Sequence, residues 1–334
     1  MVNATESQPS LFEGPARVLE ACAPSAEHLA AAAALPNLIR LGTMSWSYPG
    51  WRGVVYGPHA SAELMADLGL TAYCKHPLLR AVEIDRTYYL PVPADGLRAL
   101  AGQTPGDFRF VVKAHEDCVA VRFPPHARYG KKRDQVNPRY LDAAYAVEEV
   151  VGPLEGLGDK LGALLFQFPP QDVGPPQAFA ERLHAFLDRL PKGPTYAVEL
   201  RNQELLTRAY TRALEDAGAV HCHNLWTAMP PLLAQVKQVP PSARRPIVVR
   251  WLLRRGDSYE DAGQRLKPFH QIREEDPQNR AAVAHLVAEA ALHDVPSLVM
   301  VDNKAEGCAP ESITRLARAI VEHYARRSTQ VRKE

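Results

Sequence analysis

Short runs of large apolar residues recur along this chain, and within each run every second position is small, polar or charged. Eight such runs stand out, at residues 39–45, 81–86, 108–114, 161–168, 196–201, 219–224, 247–252 and 297–303. Period-two alternation of this kind predicts β-strands. Amphipathic segments with helical spacing separate them, at 62–69, 95–101, 140–157, 177–190, 203–217, 280–293 and 311–326. Strands alternating with helices predict a parallel sheet, and eight is the number that closes a (β/α)₈ TIM-type barrel. An open, doubly wound sheet is the alternative, but no Gly-x-Gly-x-x-Gly turn of a dinucleotide-binding sheet is present. The expected organisation is a disordered tail over 1–14, a helical extension over 15–36, one barrel over 37–327 and a disordered tail over 328–334.

The alternation also predicts which side chains fill the barrel. If Ile84, Phe110, Val112, Phe166, Leu200, Val249 and Val301 face the surrounding helices, the opposite phase turns charge inward. Glu83, Asp85, Arg109, Lys113, Gln167, Glu199, Arg201, Arg250 and Asp302 then lie inside. The first and sixth runs do not settle their own phase.

Six elements in order resemble the domain of unknown function 72, the YecE-like family. Gly42, Trp46 and Trp51 match its opening Gly-x-x-x-Trp-x-x-x-x-Trp element. Glu83, Asp85, Thr87 and Tyr89 resemble Glu-x-Asn-x-Thr-x-Tyr, and Phe108, Phe110 and Lys113 resemble Phe-x-Phe-x-x-Lys. Gln167 with Pro169 and Pro170 resembles a Gln-Leu-Pro-Pro strand end. Val198, Glu199 and Arg201 resemble Val-Glu-x-Arg, and Asp302, Asn303, Lys304 and Gly307 are similar to Asn-Asn-Lys-x-x-Gly. The resemblance spans about residues 38 to 325. It implies a TIM-type barrel and carries no assigned activity. Asp85 and Asp302 stand where the family pattern has Asn. A carboxylate only accepts hydrogen bonds, whereas an amide also donates, so these two positions bear on which ligand is read.

Catalytic groups of barrel enzymes sit at the C-terminal ends of the strands. Glu83, Lys113 and Glu199 lie near such ends and are the expected acid–base groups, with Lys113 between the two carboxylates. Trp46, Tyr48, Asp85, Gln167, Arg201, Arg250, Asp302, Asn303 and Lys304 are the expected binding residues. Lys304, at the start of the last helix, and Arg250 with Arg254 and Arg255 suit an anionic group. The bland reading of the same charges is a salt-bridged plug that fixes the barrel interior.

His221 and His223 flank Cys222. With Glu199 and Asp302 they offer a divalent-metal set, although the spacing matches no strong metal motif and no cofactor is implied. The basic loop 122–133 is a lid or, less simply, a contact for single-stranded nucleic acid.

Composition narrows the classes. Among 334 residues, 39 Lys and Arg nearly balance 38 Asp and Glu, for a net charge of +1, which asks for neither nucleic acid nor an anionic membrane. Five scattered cysteines without a Cys-x-x-Cys pair predict free thiols in a reducing compartment. No apolar run has spanning length, so a cytoplasmic protein is expected. The sequence leaves three functions open: an acid–base or hydrolytic enzyme for a small phosphorylated or sugar-like molecule, a nucleic-acid-binding or metal-dependent repair protein, and a non-catalytic ligand-binding barrel. Oligomeric state is not readable.

Overall fold

The computed structural model describes residues 18–331. The tail expected over 1–14 lies outside the described residues, as do 332–334 of the tail expected at the other end. Eight parallel strands close a barrel in sequence order: β1 (Ile39–Thr43), β2 (Leu79–Ile84), β3 (Arg109–Lys113), β4 (Leu161–Gln167), β5 (Tyr196–Glu199), β6 (Val220–Leu225), β7 (Ile247–Trp251) and β8 (Ser297–Val301). β8 returns to β1 over five paired positions, from Ile39 against Ser297 to Thr43 against Val301.

The register follows the alternation. Val82, Ile84, Phe110, Val112, Phe166, Leu200 and Val249 belong to the apolar layer between barrel and helices. The inner cluster is built from smaller residues, among them Ala81, Val111, Ala163, Ala197, Cys222, Val248 and Met300. β1 takes the phase that puts Ile39 and Leu41 outside, and β6 the phase that puts Val220 and Cys222 inside.

The helices depart from the sequence expectation at several points. Among the described residues of the extension expected to be helical over 15–36, the one helix is α1 (Ala26–Ala34), started by Ser25, whose side chain accepts from the His28 N–H. Residues 18–24 run extended instead. Cys22 N donates to Val55 O at 2.9 Å and Gly57 N to Glu20 O at 2.9 Å, which ties this segment to the loop after β1. The helix expected over 140–157 is a short turn at Ala143–Tyr145 followed by π and 3₁₀ turns through Lys160. Pro153 removes a donor there, and Gly152, Gly156 and Gly158 favour irregular backbone. The last helix (Ala309–Val331) continues beyond the boundary expected at 327. Among the described residues, no helix is long and apolar enough to cross a membrane.

One close approach shapes the barrel mouth. The pairing of β1 with β2 shifts register between Leu41 and Gly42. The Tyr73 hydroxyl, from the helix Ala62–Tyr73, fills the gap. It accepts from Thr43 N at 3.1 Å and donates to Ala81 O at 2.9 Å. A Cβ on Gly42 would sit 2.0 Å from that same Ala81 oxygen. Gly42→Ala must therefore push β1 from β2. We expect a loss of about 3 kcal/mol of stability, as for overpacked cores, read from the urea midpoint; an unchanged midpoint would show that the strands separate without cost.

Candidate functional site

The inward charges meet across the lumen. Arg250, from β7, reaches between β2 and β5. Its Nε and Nη2 donate to the two oxygens of Glu83 at 2.9 and 2.8 Å, and its Nη1 donates to Glu199 Oε2. Arg201 Nε donates to the other Glu199 oxygen at 2.5 Å. Glu83 and Glu199 are fully buried, and Arg250 nearly so. Four charges of alternating sign thus form one buried array that satisfies itself.

The environments of the two carboxyls diverge. Burial pushes Glu83 up to about 7, against the pull of Arg250. Burial also acts on Glu199, but Arg201 and Arg250 together outweigh it and hold that carboxyl below its ordinary range. Two arginines against one, with the Asp85 carboxylate adding to the rise at Glu83, make the difference.

Above this array lies a cavity of about 670 Å³ at the C-terminal ends of the strands. Glu83 is at its floor. Asp85, Arg86, Lys113, Gln167, Arg201 and Asp302 supply polar wall, and Trp46, Tyr48, Tyr88, Tyr89, Trp226 and Tyr259 supply aromatic wall. Lys113 Nζ donates to Asp85 Oδ1 at 2.9 Å and stands 4.1 Å from the centre of the Tyr88 ring. Burial lowers the pKa of the Lys113 ammonium despite Asp85. Burial raises Asp85 in turn, but Lys113 outweighs it and leaves that carboxyl below its ordinary range. The asymmetry has a simple cause: the lysine side chain is 9% exposed and the aspartate 41%, so the carboxylate keeps more of its water. Two further cations also rest on rings. Arg201 lies 3.7 Å from the Trp226 centre and Lys304 3.9 Å from that of Tyr259.

Several expected placements change. The sequence puts Lys113 between Glu83 and Glu199; Arg250 holds that place, because its long side chain crosses the lumen from the far wall while Lys113 turns up to Asp85. Arg250 is therefore part of the floor rather than a rim cation. His221 and His223 face the helices, not the lumen. His221 Nδ1 meets Tyr210 OH at 2.9 Å and His223 Nε2 meets Val239 O at 3.2 Å, so they cannot join Glu199 and Asp302 around a metal. The N-terminus of the last helix is already capped, since Asn303 Oδ1 accepts from Ala309 N at 2.9 Å and from Trp51 Nε1 at 3.0 Å. Lys304 sits behind Tyr259 and pairs with Asp302 at 3.5 Å. Gly307, at φ +116°, has no room for a side chain: a Cβ would come within 2.7 Å of Gln271 O.

The basic loop folds down as a flap on the pocket wall. Arg128 packs on Tyr89 and Tyr129, and Tyr129 OH donates to Glu116 Oε2 at 2.7 Å. Tyr88, Tyr89, Trp226 and Tyr259 escaped the sequence reading as pocket residues. Tyr89 lay in plain view at the end of the Glu83 element; nothing in the sequence marks Tyr259, which arrives from the helix Tyr259–Leu266.

The fold and site define a TIM-type barrel with a charged floor under a polar, aromatic-walled pocket. The match of residues 40–334 to the model of "Protein of unknown function DUF72" shows that the chain belongs to that family. A DUF72 family protein from Enterococcus faecalis is similar in structure, with TM-score 0.54 and 18% identity over 86% of this chain and 95% of that one. Another from Thermotoga maritima gives TM-score 0.54 and 17% identity over 87% and 99%. Among curated protein sequences, none matches this chain.

Two outcomes follow from the buried array. Arg250→Met strands buried Glu83 and leaves Glu199 with Arg201 alone, and we expect it to cost about 3–5 kcal/mol, measured by denaturant unfolding. The second concerns pH. Between the ordinary Glu range and about 7, folded Glu83 keeps a proton that the unfolded chain has released. Its contribution is full at low pH and is lost as pH rises through about 7. From pH 5 to 8 the wild type should lose stability relative to Glu83→Gln; a parallel pair of curves would refute the raised value.

Proposed function

We propose that this barrel binds a small anionic molecule, phosphorylated or sugar-like, in the C-terminal pocket and acts on it by acid–base chemistry. The observation that carries this reading is the Lys113–Asp85 pair on the pocket wall: an amine whose ammonium is weakened by burial, held in place by a carboxylate and an aromatic face. Such a group gives up its proton more readily than an exposed lysine, as a general acid or base requires. Lys113 is the proton carrier in this reading and Asp85 its orienting partner. Glu83, raised to about 7 directly below, is a second proton site. Glu199 becomes a positioning residue that holds Arg201 and Arg250. The cavity volume suits a metabolite-sized ligand. Arg86 and Arg201 offer it positive charge, and the aromatic walls suit the apolar face of a sugar ring.

The anionic part is tested by thermal shift with inorganic phosphate, a hexose phosphate and the neutral hexose. The hexose phosphate should raise the midpoint most. Arg86→Ala, an exposed wall cation, should weaken it about threefold to tenfold, and Lys113→Met by about tenfold, the usual scale for a charge-assisted hydrogen bond. Equal shifts with the neutral sugar, or affinities untouched by both substitutions, would sink the reading.

A further inference from the structure

The two longest helices carry a second constellation far from the pocket in sequence. His285 and Glu289 lie one turn apart on the helix Pro277–Leu292, and His323 faces them from Ala309–Val331. His285 Nδ1 is 3.3 Å from His323 Nε2, and His323 Nε2 is 2.9 Å from Glu289 Oε1. The three potential donor atoms lie within 4.8 Å of one another.

We propose that these three residues bind a borderline divalent cation of the zinc class and so clamp the last helix to its neighbour. Hydrogen bonding alone serves the trio poorly. His323 Nε2 faces an imidazole nitrogen and a carboxylate oxygen together, and one N–H must be divided between them. A cation accepts a lone pair from each. The spacing fits as well, because zinc–nitrogen bonds of about 2.0–2.1 Å at tetrahedral angles put ligand nitrogens roughly 3.3–3.4 Å apart. Two imidazoles and one carboxylate favour zinc, cobalt or nickel over magnesium or calcium. His285 is exposed and the other two half-buried, so water completes the coordination from the open side.

Arg327 is the competing partner. Its Nε donates to Glu289 Oε1 at 2.8 Å, while its Nη2 lies 3.4 Å from Oε2. On binding, Oε1 turns to the ion and Arg327 stays on Oε2, becoming the outer hydrogen bond that orients a ligating carboxylate.

The test uses the full chain without a histidine tag, stripped with EDTA and titrated with Zn²⁺ and Co²⁺. One ion per chain is expected, with a rise in the unfolding midpoint. The Co²⁺ spectrum should lack thiolate charge transfer, since five cysteines are the rival ligands. His323→Ala and His285→Ala should each weaken binding by about tenfold or more, and these surface substitutions should leave the metal-free midpoint nearly unchanged. No binding at submillimolar Zn²⁺, a thiolate signature, or unchanged affinity in the double His285→Ala/His323→Ala variant would each overturn the proposal and leave a hydrogen-bonded trio.

Discussion

Everything at the mouth of this barrel depends on one guanidinium held between two buried carboxylates. Glu83, Arg250, Glu199 and Arg201 come from β2, β7, β5 and the segment just after β5. β7 is adjacent to neither β2 nor β5 in the ring, so Arg250 spans the lumen rather than bridging neighbours. Removing four charges from water costs several kcal/mol each unless every lone pair and N–H finds a partner. The bidentate contact to Glu83, the contact to Glu199 and the Arg201 bond supply those partners. Small residues beneath, such as Ala81, Ala163 and Ala197, leave space for the long side chains to lie flat across the barrel.

This floor decides what the pocket can do. Because Glu199 is locked by two arginines, it has no contact with the cavity, and Arg201 is held with its plane on Trp226. The charged and amide side chains left on the wall are Lys113, Asp85, Arg86, Gln167 and Asp302. Asp85 and Asp302 each engage a lysine, Asp85 with Lys113 and Asp302 with Lys304. An asparagine at either place could not neutralise the amine.

How far the sequence could be read depends on what sets each feature. Strand number and register were legible because Phe108, Phe110 and Val112, or Leu164 and Phe166, fill a helix-covered face that small residues cannot. The phase of β6 was not legible, since its outward positions are His221 and His223, one ring nitrogen of each meeting Tyr210 or Val239 in the covering layer. The inward charges were legible as a set, but not their pairing. Which carboxylate Lys113 meets depends on the stagger of β2 against β3 and on the reach of Arg250 from the opposite wall, neither of which is local. The capped helix after β8 was hidden for a similar reason: Asn303 is claimed by Trp51, some 250 residues away.

A plug that only filled the barrel would be less costly if apolar, and here the array does more than fill space. One arginine shared by two carboxyls cannot treat them alike when a second arginine stands beside one of them. Glu199 is driven toward the ionised form and Glu83 toward the protonated one. Pairs of titratable groups pushed apart in this way are how a single site holds an acid and a base together near neutral pH. The group left able to carry a proton is the one at the cavity floor, beneath Lys113. The same four charges that fix the barrel interior therefore also set its two carboxyls apart, and the acid–base proposal rests on that divergence.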